Sequence, residues 1–232
     1  MKIAAVSVED SMGLRSLPLV LSLVAGSVDV IGFLWHGVFV AHITGNLILV
    51  AARVVTGTPV GVATILSVPV FAVMLGLVSL AVVRLESAGI SSLLPLLFLQ
   101  FVFLAGFLGA GAVAGTTGSP DSAAAVTALM LGVCGLATQN ELVQSSVRGA
   151  PSTAVMTTNL TRFIHDLSEM ILGTDPRSAK AARNRATHTW PAIAGFVAGA
   201  AGAAALYVVV GIESLALPVG LAMLSLVLPR TP

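Results

Sequence analysis

The sequence predicts an all-α polytopic membrane protein, with about six transmembrane helices and two broken or re-entrant segments arranged as an inverted three-plus-three repeat. Three observations carry this reading. Of 232 residues, 56% are hydrophobic and only 9% charged, with a mean hydropathy of +1.02, whereas a soluble domain carries about 25% charged residues. No Asp, Glu, Lys or Arg occurs in 54–83, 87–120, 122–140 or 186–212. Each run has the roughly 18 residues needed to cross a hydrocarbon core of about 30 Å. Finally, one short motif recurs half a chain apart.

Taken in order, residues 1–16 carry Lys2, Glu9, Asp10 and Arg15 and read as a short polar tail. The apolar segment after them has no A-x-A-type exit, so a cleaved signal peptide is not expected. Spanning helices are expected at 17–36, 61–83, 93–114, 122–141, 190–210 and 212–229. Pro59, Gly61, Pro95, Pro120, Pro191 and Pro218 punctuate their ends. With the N-terminus in the cytoplasm, Lys2, Arg15, Arg84, Arg148, Arg162, Arg177, Lys180, Arg183, Arg185 and Arg230 fall inside, and of the 11 basic residues only Arg53 is left outside. That asymmetry follows the positive-inside rule and puts both termini in the cytoplasm. Trp35 and Trp190 stand at span ends on opposite sides, as interface anchors do.

Two stretches, 37–55 and 151–172, are apolar but interrupted, by His42-Ile43-Thr44-Gly45-Asn46 and by Thr157-Thr158-Asn159. Short re-entrant or interfacial segments fit the charge asymmetry better than full spans, which would make eight helices; the eight-helix count stays open. The second stretch continues as an amphipathic helix. Arg162, His165, Asp166 and Glu169 recur at i, i+3, i+4 and i+7. Arg162–Asp166 and His165–Glu169 are then expected to be i,i+4 neighbours on a solvated face. Residues 174–189 form the one polar loop, in which Asp175-Pro176 offers an N-cap and a first helical position for a short basic helix.

The repeat sets Val40-Ala41-His42-Ile43-Thr44-Gly45-Asn46-Leu47 above Thr153-Ala154-Val155-Met156-Thr157-Thr158-Asn159-Leu160, with Ala, Thr, Asn and Leu coinciding. Each copy follows a helix with polar groups, Asp29 in the first and Gln139 with Asn140 in the second. The single membrane domain 1–232 then divides into halves 1–115 and 116–232. Three spans per half is odd, so the second half is inverted. Inverted repeats with broken helices are an architecture of transporters. Non-helical backbone at membrane depth survives only where protein buries it or water wets it. A Thr-Gly-Asn break offers φ freedom at Gly45, and Thr44 or Asn46 would cap the next helix. Its N-terminal end, carrying about half a positive charge, would suit an anionic or strongly polar solute.

The runs Gly26-Ser27-Val28-Asp29-Val30-Ile31-Gly32-Phe33 and Gly37-Val38-Phe39-Val40-Ala41-His42-Ile43-Thr44-Gly45-Asn46 resemble the signature of the YoaK-like family of bacterial inner-membrane proteins. Gly135-Leu136-Ala137-Thr138-Gln139-Asn140 is similar to that family's G-x-Q-N helix, and Thr153 to Leu160 to its T-x-x-x-T-G-x-L element, with Thr158 where the family has glycine. The resemblance implies a bacterial inner-membrane location. That family's function is itself unknown, so no substrate follows.

Asp29, some twelve residues into the first helix, would cost roughly 2.5–3.5 kcal/mol in lipid and is the leading pathway carboxylate, the other reading being a neutral or ion-paired carboxylate that ties this helix to a neighbouring break. His42 reads first as a satisfied interfacial histidine and second as the titratable partner of Asp29. Thr44, Asn46, Thr157 and Asn159 are candidates to line a site. Gln139 and Asn140 must face protein or water, as interhelical hydrogen-bonding groups or as ligand contacts. Glycines 106, 109, 111 and 115, and 195, 199 and 202, make small-residue faces for close helix crossing, within the monomer or in a homo-oligomer. A net charge of +1 offers no basic field for nucleic acid. Cys134, the single cysteine, allows neither an internal disulfide nor a cysteine metal cluster and reads as a small packing residue. Motifs for phosphate loops, nucleophile elbows, H-E-x-x-H zinc sites and paired carboxylates are absent, so no enzyme, metal or cofactor is expected. The leading function is a transporter or channel for a small polar or anionic solute, with the lipid bilayer as its surroundings. The alternative is a non-transporting accessory or regulatory protein that holds a partner.

Overall fold

The computed structural model describes residues 6–7, 12–115, 119–148, 150–173 and 175–230. Lys2, Glu9 and Asp10 of the polar tail lie outside these residues, as do the side chains of Arg15, Arg148 and Arg230. Among the described residues the helices are α1 (Met12–His36), α2 (Ile43–Thr56), α3 (Val62–Ser87), α4 (Leu93–Ala114), α5 (Ala123–Ser146), α6 (Met156–Leu172), α7 (Pro176–Val210) and α8 (Ala216–Val227). Two residues at the N-terminal side, β1 (Val6–Ser7), pair in parallel with β2 (Val147–Arg148).

Five helical stretches have the length and composition to cross a membrane: Ser16–His36, Val62–Ser87, Leu93–Ala114, Ala123–Ser146 and Pro176–Val227. This is the fold of a multi-pass membrane protein. The last stretch, at 52 residues, would span about 78 Å as one straight helix, far more than a bilayer core. Gly211, at φ +65°, breaks it, and a 3-10 turn (Gly211–Leu215) follows. Below the break, Gly195 packs on Leu19 and Gly199 on Leu23, so α7 runs alongside α1 in the same direction. Above it, Ile212 and Leu215 meet Gly111 of α4, while Leu226 and Leu228 reach back to the cluster around Leu17 and Leu21. Thus α8 returns antiparallel to α1, giving the sixth crossing.

Some expected boundaries move. Helix α3 ends at Ser87 and α5 at Ser146, past the charged Arg84 and Glu141, because a charge ends an apolar run without ending a helix. The basic segment after Asp175 and the span after Trp190 form one 35-residue helix instead of a loop and a separate span. Its start is the expected one: the Asp175 side chain accepts from the N–H groups of Arg177 and Ser178. Its passage through Pro191 was not expected. Thr187 and Thr189, just before the proline, turn their hydroxyls onto the carbonyls of Asn184 and Arg185, as Ser and Thr side chains do beside helix prolines.

The two halves interlock. Helix α1 packs on α7 and α8, whereas α5 packs on α3 and α4. Helices α1 and α5 run in opposite directions: Leu17 and Leu21 share a cluster with Leu142 and Val147, while Ile31 and Trp35 share one with Ala125 and Leu129. The α1–α7 crossing is nearly backbone to backbone. An added Cβ on Gly26 would overlap Phe196 O, and one on Gly199 would overlap Leu23 O and stand 2.8 Å from Leu23 Cα. Ser27 Oγ donates to Gly199 O at 3.1 Å. The glycine face of α7 is therefore used inside the monomer, except at Gly202, where a Cβ would meet nothing. On α4, Gly106 and Gly111 take Leu131 and Ile212, while Gly109 and Gly115 face open space.

Two further expectations are corrected. Trp35 is 8% exposed and packs on Phe107 and His36. It is a core residue, in one apolar cluster with Val38, Ala63, Phe107 and Ala125; Trp190, 51% exposed, keeps the position of an interface anchor. On α6 the carboxylates do not pair along their own helix. Asp166 accepts from Arg185 Nε and Glu169 from Arg185 Nη2, both at 2.7 Å. α6 lies antiparallel on the polar half of α7, and the planar guanidinium offers a fork for two carboxylates that single i,i+4 partners do not.

Candidate functional site

After α1 the chain turns at Gly37, φ +67°, and runs back along the helix as an extended segment. Gly32 makes room, since a Cβ there would press on Val40 Cγ2 at 2.6 Å and Val38 O at 2.9 Å. This return brings Val40, Ala41 and His42 level with Asp29. Asp29 Oδ1 accepts from their N–H groups at 2.7, 2.8 and 3.3 Å, and Oδ2 takes His42 Nδ1 at 2.6 Å. The carboxylate is 5% exposed. A buried aspartate in lipid needs such partners, and the backbone donors ahead of α2 supply them where helix and dipole favour an anion. α2 then leads back to the side from which the segment came, since α3 starts there, with Val62 N–H bonded to Asp121 Oδ1 beyond the start of α5. The segment 37–56 is re-entrant.

Asn46 fastens the tip. Its Oδ1 accepts from Phe39 N–H at 2.9 Å, and Nδ2 donates to Phe39 O at 2.6 Å and Ser67 Oγ at 2.8 Å. The expected capping is not the form taken: the N-cap is His42, without a side-chain cap bond, and Asn46 reaches back instead. Gly45 is helical, and its value is spatial, because a Cβ would stand 2.9 Å from the Phe39 ring.

The second tip is built the same way. α6 starts at Met156, 113 residues after the start of α2 at Ile43. The N-caps share an uncommon backbone geometry, φ −93°, ψ 64° at His42 and φ −91°, ψ 76° at Val155. Asn159 Nδ2 donates to Ser152 O seven residues back, as Asn46 does to Phe39 O. Ser152 replaces the phenylalanine, so nothing demands glycine at Thr158. Asp29 and Gln139 each stand seven residues before the end of their helix, at His36 and Ser146. Each reaches the residue three positions before the broken helix, Val40 N–H in one copy and Thr153 Oγ1, 2.8 Å away, in the other. Gln139 Nε2 also donates to Leu21 O at 2.9 Å, and its Oε1 accepts from Gln100 Nε2 at 2.7 Å.

All eight candidate residues are polar groups of the broken segments or of the helices before them, and five enter the two tips: Asp29, His42 and Asn46 in the first, Gln139 and Asn159 in the second. Asn140 bonds Leu136 O within its own helix. Thr44 and Thr157 are exposed on α2 and α6 and join neither tip. The sequence reading missed Ser67 and Gln100, although Gln100 is the one strongly polar side chain of α4 and lies fully buried. Chemically, the first tip holds a carboxylate and an imidazole in contact, able to exchange a proton, with the His42 ring against Phe196 of α7 at 5.3 Å. The second tip is neutral and amide-lined, with Asn159 Oδ1 and Gln100 Oε1 buried and without a hydrogen-bond partner. No group of three or more His, Cys, Asp or Glu suited to a metal occurs among the described residues.

Residues 17–228 match the family described as "Protein of unknown function (DUF1275)". No match is found among curated proteins or among solved structures.

Proposed function

We propose that the chain, which belongs to this family of unknown function, is a transporter or channel for a small polar solute, built as an inverted repeat of the halves 1–115 and 116–232. The observation that carries the reading is the pair of broken helices. They share one local construction, follow helices of opposite direction, and bring polar groups to the middle of an otherwise apolar molecule. Such paired half-helices bracket the solute site in transporters of inverted topology. Asp29 already occupies the positive end of α2, so a bare anion would meet a carboxylate there; a solute bearing hydrogen-bond donors suits both tips better. Asp29 and His42 then act as the coupling or selectivity pair, and Asn46, Gln139 and Asn159 position the tips. The resemblance to the YoaK-like family supports a bacterial inner membrane, and the basic residues support cytoplasmic termini. No enzyme activity is assigned.

One observation favours the alternative of a partner-holding protein. α6 exposes Leu160, Ile164, Leu167 and Ile171 in a single stripe.

Two measurements separate the readings. Cysteines placed at His42 and Asn159, one in each tip, with Cys134 replaced by serine, should react with membrane-impermeant thiol reagents, each from the opposite side. In proteoliposomes, Asp29→Asn should abolish solute flux while leaving expression intact. Protection of both positions, or unchanged flux, overturns transport through these tips.

A further inference from the structure

At the Trp35 end of the molecule, one helical turn from Ser67 of the first tip, polar groups from four elements gather without satisfying one another. Trp35 Nε1, His36 Nε2 and Thr64 Oγ1 are buried and have no hydrogen-bond partner. Thr64 is 0% exposed, and the Trp35 and His36 rings lie 4.2 Å apart. A buried indole N–H, imidazole or hydroxyl left unpaired costs about 1–3 kcal/mol each, so three in one place call for an explanation. Two charges flank them. Asp121 lies close enough to act electrostatically on His36. A Cβ at Gly61 would have Asp121 Oδ1 at 3.5 Å and Thr64 Oγ1 at 3.7 Å, so the carboxylate and the hydroxyl border the same space. On the other flank, Arg53 Nη2 stands 3.0 Å from where a Gly37 Cβ would be, next to His36. Arg53 and Asp121 make no ion pair with each other.

We propose that Trp35, His36, Thr64, Arg53 and Asp121 form a binding site for a small amino-acid zwitterion at the end of the protein opposite the basic residues. The chemistry sets the class. A guanidinium, an indole N–H, a hydroxyl and an imidazole are donors suited to a carboxylate, and the planar guanidinium can hold one through two bonds. Asp121 gives one oxygen to Val62 N–H and keeps the other for a cation. A plain carboxylate would leave Asp121 opposed, and a plain amine would meet Arg53. A compound carrying both charges satisfies both, and its backbone-sized polar head can also reach the three unpaired groups. This deepens the transport reading, since it names a solute class and its first point of contact; its test reads binding, so it can fail while transport of another solute stands, and the reverse.

Titration calorimetry on the full chain in nanodiscs, with glycine, L-alanine, acetate and methylamine as probes, decides the matter. Glycine or L-alanine should bind at least ten-fold more tightly than acetate or methylamine. Arg53→Gln and Asp121→Asn should each weaken that binding ten-fold or more, with unfolding temperatures near the wild type, since both groups lie at the rim. Trp35→Phe keeps the ring and removes only the N–H, so it should weaken binding several-fold without unfolding the core. Absence of binding by both amino acids overturns the proposal, as does binding that all three variants leave unchanged. Acetate binding as tightly as glycine would also overturn it, by making the site one for carboxylates alone.

Discussion

Removing the Asp29 carboxylate should release the first re-entrant tip, and the structure sets the size of the effect. In Asp29→Ala the N–H groups of Val40 and Ala41, now bonded at 2.7 and 2.8 Å, lose their acceptor at residues that are 0% and 8% exposed. At about 1–3 kcal/mol per orphaned group, the expected loss is roughly 2–6 kcal/mol; the longer bond from His42 adds little. Asp29→Asn keeps an oxygen for the same donors and loses only the charge. Charge-assisted bonds are about twice as strong as neutral ones, so its loss should be about 1–2 kcal/mol. Unfolding by sodium dodecyl sulfate in mixed micelles measures both, and amide exchange at residues 40–42 localises the change. The order wild type, asparagine, alanine is required. If the alanine variant unfolds no earlier than the asparagine variant, the carboxylate is not what holds the tip, and its buried charge needs another account.

Two other outcomes follow from the packing. Gly199→Ala should lower stability by about 1–3 kcal/mol or more, as overpacking against backbone does, while Gly202→Ala, facing open space, should stay within about 0.5 kcal/mol; equal midpoints for the pair in the same titration would contradict the α1–α7 crossing. Trp35→Ala should cost about 3–5 kcal/mol as a core truncation, and Trp190→Ala far less, measured as the shift in thermal unfolding in one detergent; the reverse order would return Trp35 to the membrane interface.

The spans were legible because lipid enforces them. A charge-free run long enough to cross has few other uses, and the runs at 54–83, 87–120, 122–140 and 186–212 hold the cores of α3, α4, α5 and α7. The broken segments were legible through Asn46 and Asn159, whose spacing survives intact. The deeper equivalence was hidden by an offset. The link from α5 to α6 is longer than that from α1 to α2, so matching the motifs sets Asp29 against Leu142 instead of Gln139. Only the shared position seven residues before the helix end reveals the pair. Which helices touch was not legible either, because α1 and α5 each take their main partners from other parts of the chain. Trp35 illustrates the remaining difficulty: a tryptophan at the end of a span reads as an anchor until Phe107 and the surrounding cluster are seen to bury it. The Gly45 and Thr158 difference became intelligible only with Phe39 and Ser152 in view.

The 35-residue length of α7 has a mechanical consequence. Its pivot is the glycine contact with α1, where no side chain cushions one backbone against the other. Arg185, which grips both carboxylates of α6, lies 14 residues away along the axis, about 21 Å at 1.5 Å per residue. A tilt of roughly 10° at the pivot would therefore swing that grip by about 4 Å, and α6, bolted to it, would draw its own first turn and Asn159 along. The helix would act as a lever whose longer arm is the polar one, so that displacement of its Arg185 end would reach the second tip.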